Sequence, residues 1–167
     1  MAKKTSTIVV DSETRANPDD HVALRLWLRL LTCSNLIEAN LRTRLRTDYD
    51  STLPRFDLLA QLEREPDGLT MGALTERLMV SGGNVTGLVT QLTKSGLVSR
   101  VKHPDSGRTF IVKLTPKGRK NFDTMARAHE TWVKEMFEGV SDKEVKVLMR
   151  SLSALKQSVA EHPVDNG

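Results

Sequence analysis

The sequence predicts a mainly α-helical fold that carries one small β-hairpin. Apolar residues recur at helical spacing through most of the 167 residues. Near the middle of the chain, two short helical patterns are separated by a tight break, and the second ends at Gly96. Two strand-like runs, residues 98–102 and 109–114, then flank the turn HPDSGR at 103–108. This order is typical of a winged helix-turn-helix, an α+β arrangement in which the hairpin is the wing.

The composition narrows the class of protein. Hydrophobic residues make up 38% and charged residues 28% of the chain, which is ordinary for a soluble protein. No apolar run approaches the roughly 20 residues that a membrane helix needs, and the N-terminal segment MAKKTSTIVV lacks the features of a signal peptide. The single cysteine, Cys33, excludes an intramolecular disulfide. We therefore expect a cytoplasmic protein with no membrane partner.

Three regions are predicted along the chain. Residues 1–18 form a flexible N-terminal arm, 19–50 together with 116–161 form a helical dimerisation region, and 51–115 form the winged helix-turn-helix. The first helix is expected to begin at Asp19 or Asp20 and to run to about Tyr49. Because its apolar residues are spread over more than one face, this helix is predicted to be buried against a second subunit.

The central helices have clear start and stop signals. Pro54 suits the first turn of the second helix, and Thr70 can cap the third. The fourth helix is predicted to run from Ser81, its N-cap, to Lys94, and Gly96 ends it. Four apolar residues of this helix recur at i, i+3, i+4 and i+7 and are expected to pack inward: Val85, Leu88, Val89 and Leu92.

The segment after this helix is predicted to complete the fold. Alternation in the second strand is expected to turn Phe110, Val112 and Leu114 inward, and Thr115 can cap a fifth helix. The residues SDKE at 141–144 form a capping box that begins the last helix. That helix is expected to bury Val145, Leu148, Met149, Leu152, Leu155 and Val159.

The positive charge of the chain is concentrated in one segment. The whole chain has a formal net charge of +4, but residues 81–120 hold eight basic residues and a single acid, Asp105. The basic residues are Lys94, Arg100, Lys102, Arg108, Lys113, Lys117, Arg119 and Lys120. Such asymmetry favours a polyanionic partner at this end of the molecule.

The outer face of the predicted Ser81–Lys94 helix is small and polar. Its three glycines each cost about 1 kcal/mol in a helix interior relative to alanine, a cost that close approach to DNA would justify. Its amide and hydroxyl groups can bond to base edges, and the basic residues of the hairpin can contact phosphates. The predicted DNA-binding residues are Ser81, Gly82, Gly83, Asn84, Thr86, Gly87, Thr90, Gln91, Lys102 and Arg108.

The stretch GALTERLMVSGGNVTGLVTQLTKSGLVSRVKHPDSGRTFIVKLTPKGRKNF resembles the MarR family of transcriptional regulators. The motifs that carry the resemblance are VTGLV, GLVSR and LTPKG, and weaker similarity extends from Asp20 to Ser158. The resemblance implies a homodimer joined through its N- and C-terminal helices. It also implies recognition-helix positions from Ser81 to Thr90 and a wing arginine at Arg108. The family commonly has an acid two places before that arginine, where this chain has Ser106.

The resemblance also implies a function. The family usually represses genes and releases a near-palindromic operator when a small aromatic ligand binds. The segment LRLWLRLLTCSNLIEANLRTRLRTDYDSTLPRFDLLAQLE further resembles regulators of aromatic-acid catabolism, which sense the free acid or its CoA thioester. Such an effector needs an apolar slot and a cation. The predicted effector contacts are Arg25, Trp27, Leu28, Arg29, Leu31, Ser34, Asn35, Arg55, Phe56 and Leu59.

Two other functions remain open at this point. Cys33 could act as a redox-sensing thiol, although its apolar neighbours favour a small buried side chain. The winged helix could alternatively dock a protein instead of DNA. The chain contains none of the common nucleophile, phosphate-loop or zinc-protease motifs, so we expect no enzyme activity, catalytic residue, metal site or cofactor.

Overall fold

The computed structural model describes residues 22–78, 82–103 and 106–162, with residues 106–108 as backbone only. The predicted arm at 1–18 and the predicted N-cap Ser81 lie outside the described residues. The elements, in chain order, are α1 Val22–Tyr49, α2 Leu53–Glu63, β1 Leu69–Thr70, α3 Met71–Leu78, α4 Gly82–Lys94, β2 Val98–His103, β3 Ser106–Leu114, α5 Pro116–Phe137 and α6 Asp142–Ala160. The prediction of a mainly helical fold with a small hairpin is confirmed.

The three strands form one antiparallel sheet in the order β1-β3-β2. Val98 pairs with Leu114 and Lys102 with Phe110, while Leu69 of β1 pairs with Val112. β1 was not predicted, because its two residues are too few to show strand alternation. β3 begins three residues earlier than the predicted start at 109, because cross-strand pairing continues to Ser106 opposite His103.

The chain divides into two compact units, with the boundary between His129 and Glu130 inside α5. The core that supports the wing and α4 lies in the first unit. Of the four α4 residues predicted to pack inward, Val85, Val89 and Leu92 are fully buried and Leu88 is half-buried. The other fully buried side chains come from α1, α2, α3, the sheet and α5: Leu45, Leu58, Leu59, Leu62, Leu74, Val98, Val112 and Met125.

The prediction that alternate residues of β3 all point into the core was only partly right. Val112 is fully buried and Leu114 half-buried, but Phe110 is 36% exposed. The Arg100 guanidinium lies 5.1 Å from the centroid of the Phe110 ring. The strand runs beyond the core at this point, so its inner face is covered by a neighbouring side chain of the wing.

A cluster of hydrogen bonds ties the end of α4 to the start of α5. Gly96 has φ of 69°, and the Leu97 amide donates to the Leu92 carbonyl at 2.9 Å, which closes α4 as predicted. The Thr115 hydroxyl donates to the Gly96 carbonyl at 2.7 Å and accepts from the Gly118 amide at 2.9 Å. Thr115 therefore caps α5, as predicted, and at the same time holds the end of α4 in place.

The last helix is capped as predicted but is not buried as predicted. The Ser141 hydroxyl and the Glu144 carboxylate form the capping box. In the single chain, however, Leu148, Met149 and Leu152 are 44 to 63% exposed and Val159 is 64% exposed, while Val145 and Leu155 are half-buried. The α6 pattern is amphipathic, and burial of its apolar face needs a surface that the described part of this chain does not supply.

The first helix also exposes apolar residues. They are Val22, Leu24, Leu26, Trp27, Leu31 and Leu36. Within the described segments, no helix has the length and apolar character needed to cross a membrane. A cluster of six exposed apolar residues, like the one on α1, is typical of a subunit interface.

Candidate nucleic-acid interface

The outer face of α4 is open to solvent. The side chains of Asn84, Thr86, Thr90 and Gln91 are exposed, and so are the three glycines of the helix, Gly82, Gly83 and Gly87. The opposite face is fixed by the fully buried Val85 and Val89. The core therefore holds α4 rigidly while it leaves the polar face free for a partner.

Internal packing does not explain the glycines of α4. A Cβ built on Gly83 or Gly87 would meet no atom within 4 Å, and one on Gly82 would meet only the Thr75 hydroxyl oxygen at 3.9 Å. None of the three has the positive φ that favours glycine. An external surface that approaches the helix backbone closely is a physical reason for their presence.

The polar side chains on this face differ in which of their hydrogen-bond donors and acceptors are still unused. The Thr86 hydroxyl donates to the Gly82 carbonyl at 2.9 Å, and the Thr90 hydroxyl donates to the Thr86 carbonyl at 2.8 Å. Both threonines therefore present a methyl group and oxygen lone pairs. The amides of Asn84 and Gln91 have no hydrogen-bond partner among the described residues, so they can donate and accept together, as adenine recognition requires.

The wing adds exposed cations beside α4. Lys102 is exposed, and so is Arg100, which the site prediction left out. Arg100 and Lys102 alternate along β2 and share a sheet face, a spacing visible in the sequence. The backbone of Arg108 belongs to β3. The structure does not describe the side chains of Arg108 and Ser106.

A cleft of about 420 Å³ separates the start of α2 from α4. Its walls include Pro54, Asp57, Asn84, Gly87 and Gln91. Burial, together with the nearby Glu38 carboxylate, raises the pKa of Asp57 above its ordinary value.

The structure divides the predicted effector contacts between surface and core. Six of them are exposed on α1 and Leu28 of that helix is half-buried, whereas Leu59 and Phe56 are buried. The Phe56 ring packs on Phe122, with centroids 5.4 Å apart, so in the single chain it fills space and does not wall an open slot. The exposed six are Arg25, Trp27, Arg29, Leu31, Ser34 and Asn35.

Arg55 is the predicted effector contact with the most unusual surroundings. Its side chain is half-buried, and its Nε is buried with no hydrogen-bond partner among the described residues. A buried donor without a partner is costly, and a ligand carboxylate would satisfy it.

The expectation that Cys33 is a small buried side chain was wrong. Cys33 is a free and exposed thiol on α1 in the single chain. The apolar residues around it in the sequence lie on an uncovered helix face, so they do not bury it.

Sequence reasoning missed a second cleft, of about 310 Å³, where α1 ends and α2 begins. Arg42, Arg46, Ser51 and Thr52 are among its lining residues. The signal was present, because two arginines four residues apart lie on one face of a helix. The cleft also needs the turn after α1, where Asp50 has φ of 46°, and this turn was not anticipated.

Comparison with known proteins decides the family. Residues 49–109 match the profile of the MarR family. A solved MarR-family regulator from Silicibacter pomeroyi is 36% identical, covering 82% of this chain and 94% of that one, with a TM-score of 0.70. The transcriptional activatory protein BadR of Rhodopseudomonas palustris is 30% identical over 76% of this chain and 71% of its own length. The chain belongs to the MarR family.

As a MarR-family member, the chain is a DNA-binding transcriptional regulator and not an enzyme. Two further MarR-like structures share the fold. A regulator from Streptomyces coelicolor solved in complex with DNA is 23% identical over 84% of this chain and 92% of that one, with a TM-score of 0.72. CouR from Rhodococcus jostii, solved with p-coumaroyl-CoA, is 18% identical over 78% of this chain and 90% of that one, with a TM-score of 0.67.

Proposed function

We propose that the protein is a homodimeric repressor that leaves a near-palindromic operator when a small aromatic acid or its CoA thioester binds. It acts in the cytoplasm on double-stranded DNA. Two α4 helices about 34 Å apart would enter successive major grooves. The observation that carries the proposal is the exposed face of α4, whose glycines have no internal role.

The exposed apolar faces support the homodimer. α1 and α6 each hold large hydrophobic residues that are open to solvent in one chain, including Trp27, Leu31 and Leu152. Covering both faces with the same helices of a second copy would bury them by a two-fold contact, the commonest symmetry of soluble oligomers.

Arg55 and the residues of α1 support the effector. A dimer that covers Trp27 and Leu31 would create an apolar boundary on α1, and the unpartnered Arg55 Nε on α2 offers a donor for a carboxylate. CouR, which shares the fold, was solved with p-coumaroyl-CoA, an aromatic acyl-CoA, bound to it. A ligand that binds one spacing of the two α4 helices better than another shifts the population between them. A coupling of 1–3 kcal/mol would weaken operator binding by about 5- to 150-fold.

The test measures operator affinity with and without candidate ligands. Fluorescence anisotropy would use DNA from upstream of the protein's own gene, with benzoate, 4-hydroxybenzoate, p-coumarate and their CoA thioesters as ligands. Cyclohexanecarboxylate and free CoA serve as matched controls. One aromatic ligand should lower the affinity, and Arg55→Gln should abolish the response to it while operator binding is kept.

Three outcomes would change the proposal. If no aromatic ligand alters the affinity, the effector class is wrong. If a ligand acts equally on Arg55→Gln, the carboxylate binds elsewhere. Transcription in vitro separates repression from activation, which matters because the relative BadR is named an activator. Addition of the protein to a reaction with RNA polymerase should lower transcription, and a rise would contradict repression.

Redox sensing is a second candidate, favoured by the exposure of Cys33. Peroxide treatment would then lower the operator affinity of the wild type, and Cys33→Ser would remove the effect. If the peroxide response is the same in both proteins, this candidate fails.

A further inference from the structure

We infer that the cleft of about 420 Å³ between α2 and α4 is a binding site for a small organic cation with an apolar body. The occupant would lie against the face of α4 that carries Asn84 and Gln91, so it would compete with DNA. Binding of the cation is independent of the proposed effector, and only the competition rests on the proposed function of α4.

The walls of the cleft suit an apolar body. Pro54 of α2, Leu78 of α3 and Leu88 of α4 supply its hydrophobic surface, and all three helices belong to the first compact unit. Leu88 was predicted to pack inward, and its contribution to the cleft explains why it is only half-buried. Small-molecule sites typically have volumes of about 300–1,000 Å³ and mostly apolar walls with a few polar groups. The cleft therefore has the size and lining of such a site.

Asp57 gives the cleft a negative charge that lacks a partner. Its side chain is half-buried and makes no hydrogen bond or ion pair among the described residues. Burial raises the pKa of Asp57, and the nearby Glu38 carboxylate raises it further, so the charged form is poorly compensated. Carboxylates taken out of water are normally paired, and a cation in the cleft would supply the missing partner.

The protein does not supply that cation itself. Arg42 bonds to Glu38 at 2.8 Å, and the described lining of the cleft contains no basic residue. Asp57 is the one charged side chain among these lining residues, although residues 81–120 are strongly basic as a segment. The charge of the cleft thus selects a cation and repels an anion.

The geometry of a carboxylate narrows the class of ligand. An amidinium or guanidinium group presents two parallel N–H donors, which match the two oxygens of a carboxylate such as Asp57. The side-chain amides of Asn84 and Gln91 line the same cleft and have no hydrogen-bond partner among the described residues, so their oxygens can accept from the same cation. Aromatic amidines and guanidines are therefore the expected occupants.

Occupation of the cleft would act on DNA binding by exclusion. Asn84, Gly87 and Gln91 line the cleft and also belong to the exposed face of α4. A ligand that covers them lowers operator affinity by mass action, in proportion to its occupancy. This differs from the proposed effector, which must favour one spacing of the two α4 helices over another.

The main test titrates the full-length protein with benzamidine and with benzamide, its neutral analogue of the same shape. Calorimetry should show saturable binding of benzamidine that is at least about tenfold tighter than that of benzamide, because a charge-assisted bond is made only by the cation. In NMR spectra, the side-chain amide signals of Asn84 and Gln91 should shift with the same saturation curve. Equal affinities for the two compounds, or no saturable binding of benzamidine, would overturn the inference.

Two variants locate the cation. Asp57→Asn removes the charge and keeps the shape, whereas Glu76→Gln removes an exposed charge on α3 outside the cleft lining. Asp57→Asn should bind benzamidine at least about tenfold more weakly, and Glu76→Gln should bind it like the wild type. Because burial disfavours the charged carboxylate, Asp57→Asn should keep or raise the Tm, so weaker binding would not reflect unfolding. Equal affinity of Asp57→Asn and the wild type would refute the role of Asp57.

Fluorescence anisotropy tests the competition. Benzamidine should weaken operator binding by the wild type and have at most about a tenth of that effect on Asp57→Asn at the same concentration. If benzamidine binds through Asp57 but leaves operator affinity unchanged, the competition is refuted, together with close approach of DNA to this side of α4. If benzamidine does not bind while an aromatic acid still releases the operator, this inference fails and the proposed function stands.

Discussion

The Phe56 ring stacks on the His129 imidazole, with the ring centroids 4.8 Å apart and the planes 17° from parallel. The contact joins α2, which precedes the helix-turn-helix, to α5, which follows the wing. Burial lowers the pKa of His129 below its ordinary value, because the apolar surroundings disfavour the imidazolium.

This contact predicts a pH dependence of stability. The pKa of His129 in the folded protein lies below the unfolded value of 6.5, so the unfolded state binds more protons as the pH falls below about 6.5. The stabilisation from neutral His129 is therefore complete above pH 6.5 and is lost as the pH falls towards the folded pKa. The Tm should decrease over this window, and His129→Phe, which keeps an aromatic ring, should flatten the decrease. Asp57 is present in both the wild type and His129→Phe, so its effect cancels when their Tm values are subtracted. Parallel profiles of Tm against pH for the two proteins would contradict the prediction.

Gly87→Ala should have opposite effects on stability and on DNA binding. The new Cβ meets no atom within 4 Å, so the free protein should gain about 1 kcal/mol from better helix propensity. Operator affinity should fall, because the methyl group projects from the face that approaches DNA. Thermal unfolding and anisotropy measure the two effects. Gly139→Ala, whose Cβ also meets nothing, is the control and should leave DNA binding unchanged; tighter or equal binding by Gly87→Ala would count against close approach.

Gly118→Ala should destabilise the first unit. A Cβ at this position would collide with the Leu97 carbonyl oxygen, which belongs to the backbone and cannot rotate away. We expect a loss of about 1–3 kcal/mol, measured by denaturant unfolding. Gly83→Ala, which fills open space, is the matched control. Equal stability of the two variants would show that the junction between the end of α4 and the start of α5 is more adaptable than its geometry indicates.

Leu152→Asp should weaken the proposed dimer. Leu152 is 44% exposed on the apolar face of α6, and a charge there would be buried without a partner in a subunit interface. Light scattering after size exclusion should show a monomer at concentrations where the wild type is dimeric. Ala154→Asp places the same charge on the opposite side of the helix and should remain dimeric. A dimeric Leu152→Asp would exclude this face from the interface.

The recognition helix shows how far local sequence can predict this fold. The spacing of Val85, Val89 and Leu92 determines which side of α4 faces the core, because any helix with this pattern must bury that stripe. Gly96 and Thr115 act within one turn of their own positions, so the ends of α4 and α5 were also predictable. The placement of Asn84 and Gln91 on the exposed face follows from the same spacing, while their contact with bases remains a prediction.

Burial and cleft formation depended on tertiary structure. The apolar pattern of α6 predicts an amphipathic helix, but it cannot show whether this chain or a second copy covers Leu152. Phe110 alternates like a core residue and is exposed, because the strand runs past the end of the core. Sequence alone thus determined the helices, the caps at Thr115 and Ser141, and the family. Only the packed chain brought Asp57 into one cleft with Asn84 and Gln91 and left the Arg55 Nε buried without a partner, because these features depend on how separate elements meet.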